Sequence, residues 1–425
     1  MNFEEHLNKY LNKSEIEQLI KSFNQKDKKA LYLNKNKMNE SDLLNLFPNI
    51  KKHPIVPNGY VYDKEEYELG KKIYHDFGCY YIQEPSAMIV AHLLEAKPTD
   101  IILDLCAAPG GKTIQTALKM ENQGLIIAND LSKERANILL SNIERLGITN
   151  TVVTSLDFSK QSHKFQNFFD KIILDAPCSG SGMFRKSEEM KKDWSYEKVL
   201  KNAKTQKDLI LIAYQMLKPG GTLIYSTCSY SFEEDEEVVK FLLNSTDAIL
   251  ENIPNFEGQY RCPNFEKTIH LFPSRFEGEG HYIALIKKPG ILSENKFKEI
   301  QILRKNSTKS GINETSVFVL NHELPKGFED LCLRPGLFLE TRIGNKIIPS
   351  HHYSHAQNNL KILDIEKDDL IKYLSGNIFN ANFDNGFYVV RYKKYNVGIA
   401  HVVNHIAKNF YPKGLRLNSS IAERF

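Results

Sequence analysis

The chain carries 425 residues, 41% of them hydrophobic and 25% charged, with a formal net charge of +4. That length allows two to four domains, and the composition excludes a disordered or fibrous chain. No apolar run is long enough to cross a bilayer, and residues 1–5 lack the basic-then-apolar pattern of a secretory signal. The expected setting is cytoplasmic, with no membrane partner.

Residues 1–80 mix amphipathic helix, as at 15–22, with a strand at 30–33 and turn signals at Pro48, Pro54 and Pro57-Asn58-Gly59. Between positions 21 and 37 six lysines face one acid, Asp27. From about 100 to 290 the pattern becomes regular. Apolar runs at 101–105, 125–128, 151–154, 171–174 and 222–225 alternate with helical segments. One such helix starts at Ser132, carries a stripe of Ala136, Leu139, Leu140, Ile143 and Leu146, and closes at Gly147. Strands alternating with helices imply a parallel sheet with crossover connections. An acidic helix at 233–243 and a strand at 282–286 complete that unit. Lys287-Lys288-Pro289-Gly290 reads as a boundary, the stretch to 355 has weak periodicity, and 356–425 holds short β-like runs such as 387–392. A second basic and aromatic cluster, Arg391-Tyr392-Lys393-Lys394-Tyr395, lies in that last module, and no internal repeat is present.

The six cysteines, at 79, 106, 178, 228, 262 and 332, do not form a disulfide framework in a chain of this kind. There is no CxxC pair and no Cys/His grouping with zinc spacing, so no metal is expected. The cysteines are therefore packing residues or nucleophiles.

The run Leu103-Asp104-Leu105-Cys106-Ala107-Ala108-Pro109-Gly110-Gly111-Lys112-Thr113 reads as strand, Gly-rich turn and helix start. In an open α/β sheet such a turn receives a nucleotide-like ligand, because small residues let backbone approach it. It lacks the GxGxxG of a dinucleotide fold, and a phosphate loop would need glycine where Cys106 stands. An S-adenosylmethionine pocket fits better. Asp130, after the second strand, is placed to accept ribose hydroxyls, and Asp157, after the third, to meet the adenine amine.

Asp175-Ala176-Pro177-Cys178 ends the fourth strand and Ser226-Thr227-Cys228-Ser229 the fifth, so the topology brings two thiols together at one sheet edge. Carbon 5 of cytosine is a poor nucleophile. A thiolate adding to carbon 6 makes it enamine-like and able to take a methyl group, a carboxyl near ring nitrogen 3 offsets developing charge, and loss of the carbon-5 proton with elimination frees the enzyme. Asp175 is placed for the ring contact. Spacing alone does not order the two thiols. Cys106 reads chiefly as a packing residue within the cofactor loop, and Cys79, Cys262 and Cys332 as packing.

These segments, with Asn129-Asp130 and Ser179-Gly180-Ser181-Gly182, resemble the Sun family of RNA cytosine-5 methyltransferases. The resemblance implies a seven-stranded class I (Rossmann-like) methyltransferase sheet at 81–290, with the cofactor held by residues 106–112, Asp130, Asp157 and Asp175. It also makes Cys228 the nucleophile and Cys178 the residue of product release. The segment at 78–88 (GCYYIQEPSAM), Met183-Phe184-Arg185-Lys186 and 408–416 (KNFYPKGLR) are similar to the bacterial RsmF (YebU) branch. That likeness implies a small N-terminal α+β RNA-binding domain (1–80), a connecting subdomain (291–355) and a PUA-like RNA-binding module (356–425). It points to small-subunit (16S) ribosomal RNA as substrate. The chain departs from the branch at Leu31-Tyr32-Leu33-Asn34, where Leu-Arg-Val-Asn is usual, and at Gly398-Ile399-Ala400-His401, where Gly-Trp-Gly-Lys is usual. Transfer RNA as substrate and a non-catalytic ribosome-assembly role are the alternatives. Oligomeric state is not legible.

Overall fold

The apolar runs between 101 and 227 become five parallel strands: Ile101–Asp104, Leu125–Asn129, Thr151–Thr154, Phe169–Asp175 and Leu217–Thr227. In this computed structural model, residues 2–185, 188–295, 300–309, 312–356, 359–417 and 424–425 are described. Numbered along the chain, the five lie across the sheet in the order 5-4-1-2-3, so the order reverses between the first and fourth. Tyr282–Lys287 pairs antiparallel with the fifth strand, and Ile249–Glu251 antiparallel with Tyr282–Lys287. The sheet counts nine strands, two more than the resemblance implies. The additions are two-residue pairings, Ile269–His270 beside Tyr282–Lys287 and Arg334–Pro335 beside the third strand.

Both faces of the sheet are covered, which is why its strands read as continuous apolar runs. Ile102, Ile126, Val153, Ile173 and Ile224 point into one core with Ile89, Ile114, Leu139 and Ile143 from helices Pro85–Leu93, Gly111–Lys119 and Lys133–Leu146. Their chain neighbours Leu103, Ile127, Val152, Ile172 and Leu223 point into the other, against Ile210 and Ala213 of helix Tyr196–Met216. Helix Lys133–Leu146 is bounded as its sequence requires. The Ser132 side chain accepts from Arg135 N–H, and Gly147 ends it at φ +70°.

The N-terminal domain is a four-stranded antiparallel sheet in the order Lys51–Lys52, Gly59–Asp63, Lys28–Leu33, Tyr80–Gln83. Its last strand runs into Glu84, the N-cap of helix Pro85–Leu93, and so delivers that carboxylate to the methyltransferase sheet. Helices Phe3–Leu7 and Lys13–Ser22 reach further, and Leu7, Leu11, Ile16 and Leu19 share a core with Tyr230 and Phe272.

The weakly periodic stretch is more ordered than its sequence suggests. Gln301–Lys309, Ile312–Leu320, Leu337–Ile343 and Lys346–Pro349 form an antiparallel meander. The C-terminal module is a five-stranded mixed sheet with Lys361–Ile365 parallel to Gly386–Tyr392. Its core is continuous with that of the N-terminal sheet: Tyr395 contacts both Tyr74 and Phe77, at ring centroids 5.6 and 5.7 Å. Among the described residues no helix is long and apolar enough to cross a membrane.

Candidate active site

The strand order reverses beside the first strand, where open α/β sheets bind ligands outside the carboxyl edge, and the predicted residues lie at the strand ends on that edge. The loop after the first strand turns at Gly110, whose φ of +115° suits glycine, and a Cβ there would stand 2.9 Å from Leu139 Cδ1. Ala107 N–H donates to Asn129 O at 2.7 Å, tying the loop to the second strand. Ala107 and Ala108 are buried, Pro109 is exposed, and Cys106 is partly buried against the core below the sheet. Burial and the nearby carboxylates Asp104 and Asp175 push the Cys106 thiol up, so it stays a thiol and packs.

Asp104, fully buried, accepts from Thr113 Oγ1 at 2.6 Å, and burial raises its carboxyl to about 7. Asp130 sits at the tip of the second strand, 3% exposed, with Oδ1 accepting from Ser132 N–H at 3.0 Å. Its Oδ2 is buried without a hydrogen-bond partner, 3.3 Å from the Arg135 guanidinium. Arg135 also donates to Ala108 O at 2.7 Å, linking the acid to the Gly-rich loop. Asp157 is half exposed and caps helix Phe158–Gln161, with Oδ1 accepting from Ser159 N–H and Oγ at 3.1 and 2.6 Å. Small loop residues, an orphaned carboxylate oxygen and a further acid at successive strand tips fit the donors of an adenosyl group.

Lys112 and Asp175 form a pair of 2.7 Å, and Ser226 Oγ donates to the other Asp175 oxygen at 2.7 Å. Burial works to raise the Asp175 carboxyl, but Lys112, helped by His281 and Ser226, outweighs it and holds the group below its ordinary value. The two thiols meet at the next strand tip, with Cys178 Sγ 3.1 Å from Cys228 Sγ. The hydrogen bond with Cys228, followed by burial, holds the Cys178 thiol well above its ordinary value. Cys178 is thus held as a thiol, and in its contact with Cys228 either sulfur can be the donor.

What fixes that contact is Glu234, which the sequence presents only as one acid of an acidic helix. Glu234, fully buried, accepts from Ser179 N–H and Oγ at 2.7 and 2.5 Å and from Ser229 Oγ at 2.6 Å. Each serine directly follows one of the cysteines, so one carboxylate ties both loops together. Gln206 Nε2 adds a bond to Pro177 O at 2.8 Å. Gly182 N–H donates to Cys228 O at 2.7 Å, and a Cβ on Gly182 would meet that oxygen at 2.8 Å. Arg135, Glu234 and His281 carried no motif signal. Only the placement of Ser179 and Ser229 after the two cysteines hinted at a shared partner.

Four of the six lysines in the run at 21–37 are engaged within the protein. Lys26 pairs with Glu65, Lys28 with Asp63 and Lys29 with Asp27, while Lys37 turns inward to Phe77 O and Arg145 O. Arg391 and Lys394 of the C-terminal cluster pair with Asp364 and Asp42. Lys186 lies outside the described residues. One potential metal-ligand group occurs among the described residues, Asp235, Glu236 and His270, where the sequence suggested none; Glu236 and His270 are already paired at 2.7 Å.

Fold, strand-end acids and paired thiols define an S-adenosylmethionine-dependent RNA methyltransferase. Residues 91–287 match the family model for 16S rRNA methyltransferase RsmB/F, 1–85 the N-terminal domain of 16S rRNA methyltransferase RsmF, and 360–417 the RsmF PUA domain. The ribosomal RNA small subunit methyltransferase F of Vibrio vulnificus is 32% identical over 388 residues, 83% of this chain and 82% of that one. The chain therefore belongs to the RsmF family of RNA methyltransferases. The tRNA (cytosine(49)-C(5))-methyltransferase of Pyrococcus abyssi is 43% identical over 241 residues, 54% of this chain and 77% of its own length. A methyltransferase homolog from Pyrococcus horikoshii is 28% identical with a TM-score of 0.59, covering 67% of this chain and 93% of that one. NSun6 of Pyrococcus horikoshii, solved with SFG, shares the fold at 23% identity and a TM-score of 0.62, over 68% of this chain and 98% of that one.

Proposed function

We propose that this protein methylates carbon 5 of cytosine in small-subunit (16S) ribosomal RNA, in the cytoplasm, with Cys228 as nucleophile. The observation that carries the chemistry is the 3.1 Å contact of two thiols beside the Lys112–Asp175 pair. Relatedness to small subunit methyltransferases across the N-terminal domain, the catalytic domain and the PUA module supports the substrate.

S-adenosylmethionine supplies the methyl group, held by Cys106, Ala107, Ala108, Pro109, Gly110, Gly111 and Lys112, by Asp130 and Asp157, and near Asp175. The chain's own residues do the rest. Cys228, as thiolate, adds to carbon 6 of the ring, and Cys178 keeps its proton beside it. As the thiolate adds, ring nitrogen 3 takes up a proton from solvent, and Asp175, kept ionised by Lys112, accepts from the N–H so formed. A base then takes the carbon-5 proton as the bond between carbon 6 and the Cys228 sulfur breaks, and Cys178, beside that sulfur, assists release of the product. Reaching carbon 6 requires the cytosine to leave any stack, so the RNA is bound single-stranded or splayed out.

Cys228→Ala should lose at least 10³-fold in methyl transfer, measured with labelled cofactor. Cys178→Ala should accumulate a covalent RNA adduct, seen as a shifted band on a denaturing gel. Transfer undiminished in the first variant, or no adduct in the second, sinks the assigned roles. Transfer RNA is the second reading, favoured by the Pyrococcus abyssi relative. Bisulfite mapping of cellular RNA with and without the protein separates the two substrates.

A further inference from the structure

The two thiols that carry the methyl-transfer chemistry also meet the requirements of an oxidation site. All six cysteines are free, and Cys178 and Cys228 are both partly exposed. Their sulfurs are 3.1 Å apart, about 1 Å further than the roughly 2.05 Å of a disulfide bond. Among the described residues no other two thiols are in contact. Cys79, Cys262 and Cys332 are buried, and Cys332 Sγ donates to Phe328 O at 3.2 Å.

The fold holds the pair together before any reaction. Glu234 accepts from Ser179 Oγ at 2.5 Å and Ser229 Oγ at 2.6 Å, and these two hydroxyls lie 3.3 Å from each other. Closing the last ångström therefore orders no chain that is not already ordered. A cation stands near as well. Burial works against the Lys112 ammonium, but Asp175, with Asp104 and Cys228, holds it above its ordinary value. A neighbouring cation favours the thiolate, which is the form that peroxides oxidise. A reactive, accessible thiol with a second thiol in contact is the arrangement that turns oxidation into a disulfide instead of an irreversible acid.

We propose that Cys228 and Cys178 form a peroxide-reactive pair, oxidised to a disulfide that stops methyl transfer until a small thiol reduces it. The Cys228 thiolate attacks one oxygen of hydrogen peroxide. A sulfur–oxygen bond forms as the oxygen–oxygen bond breaks, giving a sulfenic acid and hydroxide. The Cys178 sulfur then attacks the Cys228 sulfur. The disulfide forms as the sulfur–oxygen bond breaks, and the Cys178 proton leaves with the departing hydroxide as water. The two sulfurs together give up two electrons, which the peroxide takes. Two equivalents of a small thiol reverse the step by exchange and end as their own disulfide. While the bond stands, no thiolate is left to add to carbon 6. This goes beyond methyl transfer and rests on the reading of Cys228 as the nucleophile.

The test treats the full-length protein, reduced and then freed of reductant, with hydrogen peroxide. Its intact mass should fall by two hydrogens, and a non-reducing digest should yield one peptide pair that joins Cys178 to Cys228. Methyl transfer should drop at least tenfold and recover with dithiothreitol. Cys178→Ser removes the second thiol, so peroxide should leave a Cys228 sulfenic acid that dimedone labels, where the wild type takes up little label. Cys262→Ser should respond as the wild type does. A gain of oxygen without the joined peptides, a bond to any other cysteine, equal labelling of the wild type and Cys178→Ser, or a loss that dithiothreitol does not reverse would overturn the assignment. The mass readout needs no RNA, so it is told apart from a failure of the cytosine-5 reading, which shows as a reduced, untreated protein that methylates no cytosine.

Discussion

At the scale of single residues, the two thiols are held by a carboxylate that belongs to neither loop. Removing it in Glu234→Ala leaves Ser179 N–H and two serine hydroxyls without their acceptor in a buried site. Bonds to a charged group contribute about 1.5–3 kcal/mol each at most, with losses partly absorbed by relaxation, so a net destabilisation of about 2–4 kcal/mol is expected. Urea denaturation measures it, and a change under 1 kcal/mol would show that the loops hold themselves. Methyl transfer should fall further than stability alone accounts for, because the Cys178–Cys228 contact loosens. Of this site the sequence made the cysteines, Asp175 and Lys112 legible, since each sits in a strand-end or loop pattern whose geometry follows from chain direction. Glu234 and His281 were not legible. Their roles depend on which loops face each other at the carboxyl edge, and no local periodicity encodes that.

At the scale of elements, the parallel sheet was readable because burial on both faces writes strands as unbroken apolar runs. Three of the five parallel strands, Leu125–Asn129, Phe169–Asp175 and Leu217–Thr227, extend beyond the expected apolar runs, Thr151–Thr154 coincides with its run, and Ile101–Asp104 ends one residue short. The meander between 301 and 349 was not readable. Its first strand, Gln301–Lys309, is mostly polar and half exposed, so its pairing is backbone-driven and leaves no apolar signature. Helices Phe3–Leu7 and Lys13–Ser22 cover the loops that follow both cysteines: Phe3 packs edge-on to Phe184 at 4.9 Å between ring centroids, and Tyr10 donates to Tyr230 O at 2.8 Å. Leu19 is fully buried in that contact, and Leu19→Ala should cost about 2–4 kcal/mol of stability at this dock. Limited proteolysis between residues 2 and 25 should accelerate in the variant, and an unchanged cleavage rate would deny the helices a fixed seat.

At the scale of the whole molecule, three of the four units meet at Lys37. Its ammonium donates to Phe77 O and Arg145 O and lies 3.1 Å from His355 Nδ1. Burial lowers the amine from its ordinary value to about 7. Between pH 7 and 10 the unfolded chain therefore binds more protons at this position than the folded one, so stability from this group rises with pH across that window. The rise should be on the order of 2 kcal/mol, and Lys37→Met should abolish it while leaving stability at pH 7 within about 1 kcal/mol. Chemical denaturation at pH 7 and pH 9.5 measures both, and a slope that persists in the variant would place its source elsewhere.

The shared core of the first and last domains has a consequence for how the chain is born. Phe77 and Tyr74 leave the ribosome more than 300 residues ahead of Tyr392 and Tyr395, the rings that cover them. At about 5–20 residues per second that interval lasts roughly 15–60 s. Throughout it the nascent N-terminal sheet carries an uncovered aromatic face, so its protection during synthesis falls to helper proteins or to the speed of translation.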